Sequence, residues 1–217
     1  MDRRTLASMI DHTQLRPDAG RSDIERLCRQ TLEYGFAAAC VNPLWVSLAS
    51  DLLRNGSPLV CSVIGFPLGA SVTMADEASR ALDNGAGELD MVIPLGLLKS
   101  GMTNEAAKTI EEVVKASSGV PVKVILETCL LTDGEKVIGC RLAMDAGASW
   151  VKTSTGFGGG GATVEDVALM RSVVGEKLGV KASGGIGTLE KALSMIEAGA
   201  GRLGCSRSVQ IIESIRE

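Results

Sequence analysis

The chain has 217 residues, 45% of them apolar and 22% charged, with a formal net charge of −4 and no block of like charge. That describes one globular unit with ample material for a core, and it argues against a nucleic-acid footprint or a basic membrane-binding face. An anionic ligand is not excluded, since a few backbone N–H groups and one or two cations hold a phosphate on an acidic protein.

No apolar run approaches the roughly 18 residues needed to cross a bilayer. The N-terminus also lacks the apolar segment and cleavage site of a signal peptide, so a cytoplasmic location is expected. Six scattered cysteines and a single histidine offer neither a zinc pattern nor a disulfide framework. No metal is expected, and most of the thiols are expected to pack as small buried hydrophobes.

Along the chain, an apolar stretch near 6–11 is the first strand candidate. Four later segments share one pattern, an acidic residue, a spacer, Gly and then small residues: Glu33-Tyr34-Gly35, Asp83-Asn84-Gly85, Asp145-Ala146-Gly147 and Glu197-Ala198-Gly199. Each predicts a helix closed by a left-handed glycine and followed at once by a strand. From Gly35 to Gly85, Gly147 and Gly199 the steps are 50, 62 and 52 residues, twice the length of one βα unit. The intervening strands are expected at 59–66 after Gly56-Ser57-Pro58, at 122–128 after Gly119-Val120-Pro121, and at 180–186 after Gly179. Ser22 to Glu25 and Thr132 to Glu135 fit capping boxes, and Thr163 to Asp166 fits the acidic variant. Eight evenly spaced βα units with no second composition regime predict an α/β fold, a single-domain (β/α)8 TIM barrel over residues 1–217. The alternative, an open doubly wound sheet, does not usually repeat its turn chemistry so evenly.

Strands of a parallel barrel are buried and should be nearly continuous apolar runs. The exceptions are therefore informative: Asp11, Asp90, Lys123, Glu127, Lys152 and Lys181. Lys123, Lys152 and Lys181 follow one another at intervals of 29 residues, which predicts equivalent places on strands 5, 6 and 7. Burying three cations requires partners, and Asp90, Asp11 and Glu127 are the available carboxylates. A structural ion network is one account of the set. Function is the preferred one, because buried charge is a poor source of stability. An ordinary lysine titrates near about 10.4, and a second ammonium close by together with desolvation frees its amine. The free amine condenses with a carbonyl to an iminium ion, an electron sink for carbon–carbon cleavage, with Asp90 placed to move protons.

Gly-rich turns follow strands 6 and 7, Thr155-Gly156-Phe157-Gly158-Gly159-Gly160-Gly161 and Ser183-Gly184-Gly185-Ile186-Gly187, and strand 8 ends in Leu203-Gly204-Cys205-Ser206-Arg207. Barrel enzymes often bind phosphate with backbone amides of loops 7 and 8. Gly156, Gly158 and Gly161 formally match a dinucleotide fingerprint. They lie late in the repeat rather than in a first βα turn, so no nucleotide cofactor is expected.

These residues resemble the deoxyribose-phosphate aldolase family over nearly the whole chain. The matching stretches are Ile10-Asp11-His12-Thr13, Cys40-Val41-Asn42-Pro43, Val63-Ile64-Gly65-Phe66-Pro67-Leu68-Gly69, Glu88-Leu89-Asp90-Met91-Val92-Ile93, Lys123-Val124-Ile125-Leu126-Glu127-Thr128, Val151-Lys152-Thr153-Ser154-Thr155-Gly156-Phe157 and Lys181-Ala182-Ser183-Gly184-Gly185-Ile186. The resemblance implies reversible, cofactor-free cleavage of 2-deoxy-D-ribose 5-phosphate to D-glyceraldehyde 3-phosphate and acetaldehyde. It makes Lys152 the Schiff-base lysine, Lys181 the lysine that tunes it and Asp90 the proton relay. Asp11 and Lys123 become supporting polar residues, and Cys40 a cysteine near the substrate. Gly156, Gly184, Gly185, Gly204 and Ser206 fall at phosphate-loop positions, and Thr155 and Arg207 complete the expected substrate contacts. A homodimer or other homo-oligomer is expected by analogy.

The sequence departs from the family pattern in two places. Arg207 stands where a second small hydroxyl residue is common, and adds either a charged phosphate contact or crowding. The sequence runs to Ile215-Arg216-Glu217 without the tyrosine-bearing tail of some members, and Tyr34 is expected on a helix far from the site. His12 is expected to be structural. The rival readings are another class I or transaldolase-like aldolase, and a phosphosugar-binding barrel without turnover.

Overall fold

The computed structural model describes residues 1–215; Arg216 and Glu217, the last two residues of the given sequence, lie outside the described residues. A short helix α1 (Arg3–Ala7) precedes eight strands: β1 (Ile10–Gln14), β2 (Ala38–Val41), β3 (Leu59–Ile64), β4 (Glu88–Val92), β5 (Val122–Ile125), β6 (Trp150–Lys152), β7 (Gly179–Ser183) and β8 (Arg202–Cys205). All pair in parallel and close in sequence order into a barrel. The helices between and after them are α2 (Arg21–Tyr34), α3 (Val46–Leu53), α4 (Met74–Asp83), α5 (Leu95–Lys99), α6 (Thr103–Ala116), α7 (Asp133–Asp145), α8 (Val164–Val174), α9 (Leu189–Glu197) and α10 (Ser208–Glu213).

The repeated glycine turns hold: Gly35, Gly85, Gly147 and Gly199 have φ of 68°, 97°, 79° and 110°, the left-handed region that a side chain resists. Two capping expectations hold as well. Thr132 and Glu135 form a reciprocal box at the start of α7, and the Thr163 hydroxyl accepts from the Asp166 amide. The box at α2 lies elsewhere, because the helix begins at Arg21 and it is the Asp23 carboxylate that accepts from the Gly20 amide. The first strand also begins later than 6–11, at Ile10, because Leu6 belongs to α1. The strands expected at 59–66, 122–128 and 180–186 end earlier, at Ile64, Ile125 and Ser183. Their last residues already belong to the loops over the site.

Alternation along each strand separates two interiors. Outward-facing residues such as Ile10, Val60, Leu89, Val124, Val151, Val180 and Leu203 join the helices in one large apolar core. Inward-facing Ala38, Cys40, Cys61 and Val63 form a small separate cluster with Leu15 and Phe66. On β4 to β8 and on β1 the inward face carries charged residues as well, Glu88, Asp90, Lys123, Lys152, Lys181, Arg202 and Asp11. A barrel interior is usually filled with bulky branched residues, so this half has been given over to something else.

The register corrects one expectation. Lys152 lies level with Lys181, but Lys123 pairs with Trp150 and Ile125 with Lys152. Lys123 is therefore two residues out of register with the other two, and is paired instead with Asp90. Strands of a closed barrel must stagger to meet, so equal sequence spacing does not give equal height.

The floor of the barrel is closed by the Trp150 ring. A Cβ on Gly179 would lie 2.0 Å from it. Gly179→Ala is expected to cost about 1–3 kcal/mol through overpacking, read as a lower urea midpoint. An unchanged midpoint would show that the ring moves freely.

Candidate active site

The charged side chains of β1 and β4 to β8 converge on one network inside the barrel. Asp90 is its hub. Its Oδ2 accepts from Lys152 Nζ and Lys181 Nζ, each at 2.7 Å, so the two nitrogens lie no more than twice that distance apart. Its Oδ1 accepts from Lys123 Nζ at 2.9 Å and from the Cys61 thiol at 3.1 Å. Lys181 also donates to Asp11, and Lys123 to Glu88 at 2.7 Å. Arg202 spans the bottom of the network, donating to Asp11 Oδ1 at 2.6 Å and Glu88 Oε1 at 3.2 Å, with its guanidinium 5.5 Å from the centre of the Trp150 ring.

Asp11, Asp90, Lys123 and Lys181 are wholly buried. Burial alone would drive the carboxylates to the neutral form, but Lys123, Lys152 and Lys181 hold the Asp90 carboxyl well below the usual carboxylate range. Lys181, Lys123 and Arg202 likewise outweigh burial at Asp11 and lower it. Burial also opposes the charged lysines, yet Asp90 and its neighbours hold the Lys123 ammonium well above its ordinary value. Asp11 and Asp90 do the same for Lys181, which stays a cation beside Lys152.

Lys152 is the one lysine of the network that lines a cleft, of about 810 Å³, at the C-terminal end of the strands. Its other walls include Thr155, Gly156, Ser183, Gly184, Gly185, Gly204, Ser206 and Arg207. A Cβ on Gly161 would lie 2.4 Å from the Gly184 carbonyl oxygen, so the loops after β6 and β7 touch backbone to backbone there. Arg207 folds along Gly187, where a Cβ would meet its Cδ at 3.4 Å.

The match to known proteins covers almost the whole chain. The family model described as DeoC/LacD family aldolase matches residues 2–209. The chain belongs to this aldolase family. It is 57% identical over 217 residues to the deoxyribose-phosphate aldolase of Methanothermobacter thermautotrophicus, covering 99% of this chain and 96% of that one. It is 56% identical over 213 residues to that of Thermoanaerobacter sp. (strain X514), covering 96% of each. Among solved structures, the deoxyribose phosphate aldolase from Aeropyrum pernix, described as a unique tetramer, superposes with a TM-score of 0.92 at 37% identity, over 98% of this chain and 92% of that one.

Within this aldolase scaffold the sequence-predicted residues fall into two groups. Lys152, Thr155, Gly156, Gly184, Gly185, Gly204, Ser206 and Arg207 line the cleft. Asp11, Cys40, Asp90, Lys123 and Lys181 lie fully buried behind it. Cys40 sits level with Cys61 on the neighbouring strand. Glu127, expected as a partner for the lysines, is not one. Its backbone is left-handed at φ 55°, and its carboxylate accepts from the Thr155 amide at 3.2 Å and from the Thr155 hydroxyl. It fastens the loop that follows Lys152. The missing partner is Glu88, joined by Arg202. Both were visible as charges at the edges of apolar strands, but each was masked by lying next to a turn.

His12 faces outward, between Ser208 (Nδ1 to Oγ, 3.0 Å) and Gln30 (Nε2 to Oε1, 3.1 Å), and burial lowers its pKa. Tyr34 donates its hydroxyl to Glu213 on α10, away from the cleft residues. Two clusters have spacing suited to a metal, Cys40–Cys61–Asp90 and Asp11–Cys61–Glu88, with ligand atoms within 4.8 Å. Their carboxylates already serve ammonium and guanidinium groups, which would repel a divalent cation. No helix among the described residues is long and apolar enough to cross a membrane.

The depressed carboxylates predict the acid limit of stability. Asp11 and Asp90 stay ionised when folded, whereas in the unfolded chain an Asp takes up a proton near about pH 3.9. Their stabilisation is present above that value and is lost as pH falls through the lower folded values. The urea midpoint should hold down to about pH 5 and fall below about pH 4. A midpoint flat to pH 2 would show that the network contributes nothing.

Proposed function

We propose that this chain is a class I aldolase that reversibly cleaves 2-deoxy-D-ribose 5-phosphate to D-glyceraldehyde 3-phosphate and acetaldehyde through a Schiff base on Lys152. The observation that carries this reading is a lysine at the base of a cleft whose ammonium shares one carboxylate oxygen with a second, permanently charged lysine. Membership of the aldolase family and the names of its relatives supply the substrate.

The chemistry follows from that placement. The unprotonated Lys152 amine adds to the C1 aldehyde of the open-chain sugar, and loss of water gives an iminium ion. The C3 hydroxyl gives up its proton, the C2–C3 bond breaks, and its electron pair passes into the iminium, leaving an enamine and free glyceraldehyde 3-phosphate. Protonation of the enamine at C2 and addition of water release acetaldehyde and return the amine. Asp90 Oδ2, 2.7 Å from the Lys152 nitrogen, is placed to relay a proton at the reacting amine while Lys181 keeps its own. Lys181 holds positive charge beside the reacting nitrogen and so favours its neutral form. Asp11 and Lys123 keep Asp90 and Lys181 in place.

The glycine-lined end of the cleft, Gly156, Gly184, Gly185, Gly204 and Ser206, suits the phosphate, with Thr155 held firm by Glu127. Arg207 has no ion pair among the described residues and adds charge at that end. A phosphosugar substrate fits a cytoplasmic enzyme. The tetrameric relative supports self-association of this chain, with a dimer as the smallest such assembly.

Borohydride reduction in the presence of acetaldehyde, followed by peptide mass mapping, tests the reading. An ethyl adduct on the Lys152 peptide is expected, and Lys152→Ala should abolish both adduct and turnover while staying folded. No adduct on a folded wild-type chain would overturn the Schiff-base reading. Lys181→Leu should move the acidic limb of the rate profile to higher pH, and an unmoved limb would remove Lys181 from the tuning role.

A further inference from the structure

The charges inside the barrel do not balance. Among the described residues, four cationic side chains, Lys123, Lys152, Lys181 and Arg202, face three carboxylates, Asp11, Glu88 and Asp90. Glu127 is committed to Thr155 and cannot serve as a fourth. The remaining titratable groups facing the network are the thiols of Cys40 on β2 and Cys61 on β3, which add no charge while protonated. Cys205 on β8 points outward into the apolar core, its thiol pushed up to about 12 by burial.

The cations are unequally compensated. Lys123 meets three carboxylates, at 2.7, 2.9 and 3.8 Å. Lys181 meets Asp11 and Asp90, and Arg202 bridges Asp11 and Glu88. Among the described residues Lys152 meets Asp90 alone, through an oxygen it shares with Lys181. A net charge buried in protein is costly, and a guanidinium does not give up its proton. The state with three cations and three carboxylates is therefore the one in which a lysine is neutral, and Lys152 has the least to lose.

We propose that Arg202, which lines no part of the cleft, is a positioning residue for the reaction: by permanently occupying Asp11 and Glu88 it leaves the network one carboxylate short, and Lys152 restores neutrality by releasing its proton. The nucleophile is thus set by charge stoichiometry across the whole barrel floor, with Trp150 holding the guanidinium in place, and not by its lysine neighbour alone. This rests on the reading of Lys152 as the iminium-forming amine.

The sign of the effect is testable, because two variants should move it in opposite directions. Acetaldehyde trapping on Lys152 is measured against pH for the wild-type chain, Arg202→Met, Glu88→Gln and the double variant, each checked for fold by circular dichroism. Arg202→Met gives three cations to three carboxylates with Lys152 charged, so the acidic limb should move to higher pH by about one unit. Glu88→Gln increases the surplus and should move the limb to lower pH by a similar amount. The double variant restores a surplus of one and should return towards the wild-type profile. The near-isosteric Glu88→Gln reads the charge even if Arg202→Met fails to fold. Wild-type trapping whose limb is unmoved by Glu88→Gln, or moved the same way by both single variants, overturns the role of Arg202 alone. Wild-type protein that traps nothing at any pH overturns the iminium reading and this inference with it.

Discussion

The wholly buried carboxylate of Asp90 accepts from three ammonium groups, and much of the rest of the molecule serves that arrangement. Three cations around one carboxylate repel one another, so the site requires further anions held at fixed distance. Asp11 supplies one from β1 and Glu88 the other from β4, two residues before Asp90, and the closed sheet holds them in place. Buried ion networks seldom increase stability. Here the arrangement places one amine, that of Lys152, where the network meets a cleft.

Such an interior is tolerable because the stabilising work is done outside it. The apolar residues that face the helices form a continuous core around the barrel, while the inner apolar cluster is limited to β2, β3 and their loops. One strand serves both purposes through alternation, as in β4, where Leu89 and Met91 pack outward and Glu88 and Asp90 point inward. The small residues Ala38, Cys40 and Cys61 leave room opposite the lysines. The Trp150 ring packs against Gly179 and lies beside the Arg202 guanidinium.

The two ends of the cleft rest on different supports. Lys152 rises from a strand and is fixed by buried charge. The glycine-rich end is built from loops, steadied by the Gly161–Gly184 contact and by Glu127, whose left-handed backbone turns its carboxylate onto Thr155. A strand-mounted lysine at one end and a glycine-lined backbone at the other is the arrangement on which the proposed reaction rests. It also accounts for the polar residues of the family motifs that do not touch the cleft.

Much of this was legible in the chain itself. The four glycine turns report local backbone geometry, and charges within apolar strands stand out because burial makes them expensive. Lys152, Lys181, Asp90, Asp11 and Lys123 could be picked out on that ground, and the family motifs around them named the chemistry. Pairing was not legible. Glu127 sits on a strand-like stretch as Glu88 does, yet one turns away in a left-handed conformation while the other enters the network. Arg202, at a strand's first residue next to a glycine turn, looks like an ordinary surface charge. The equal spacing of the three lysines also concealed the register offset of Lys123. Sequence alone determined which side chains carry charge and that their strands are buried. Only the closed, staggered barrel decided which of them meet, because register between distant strands sets distances that no local pattern contains.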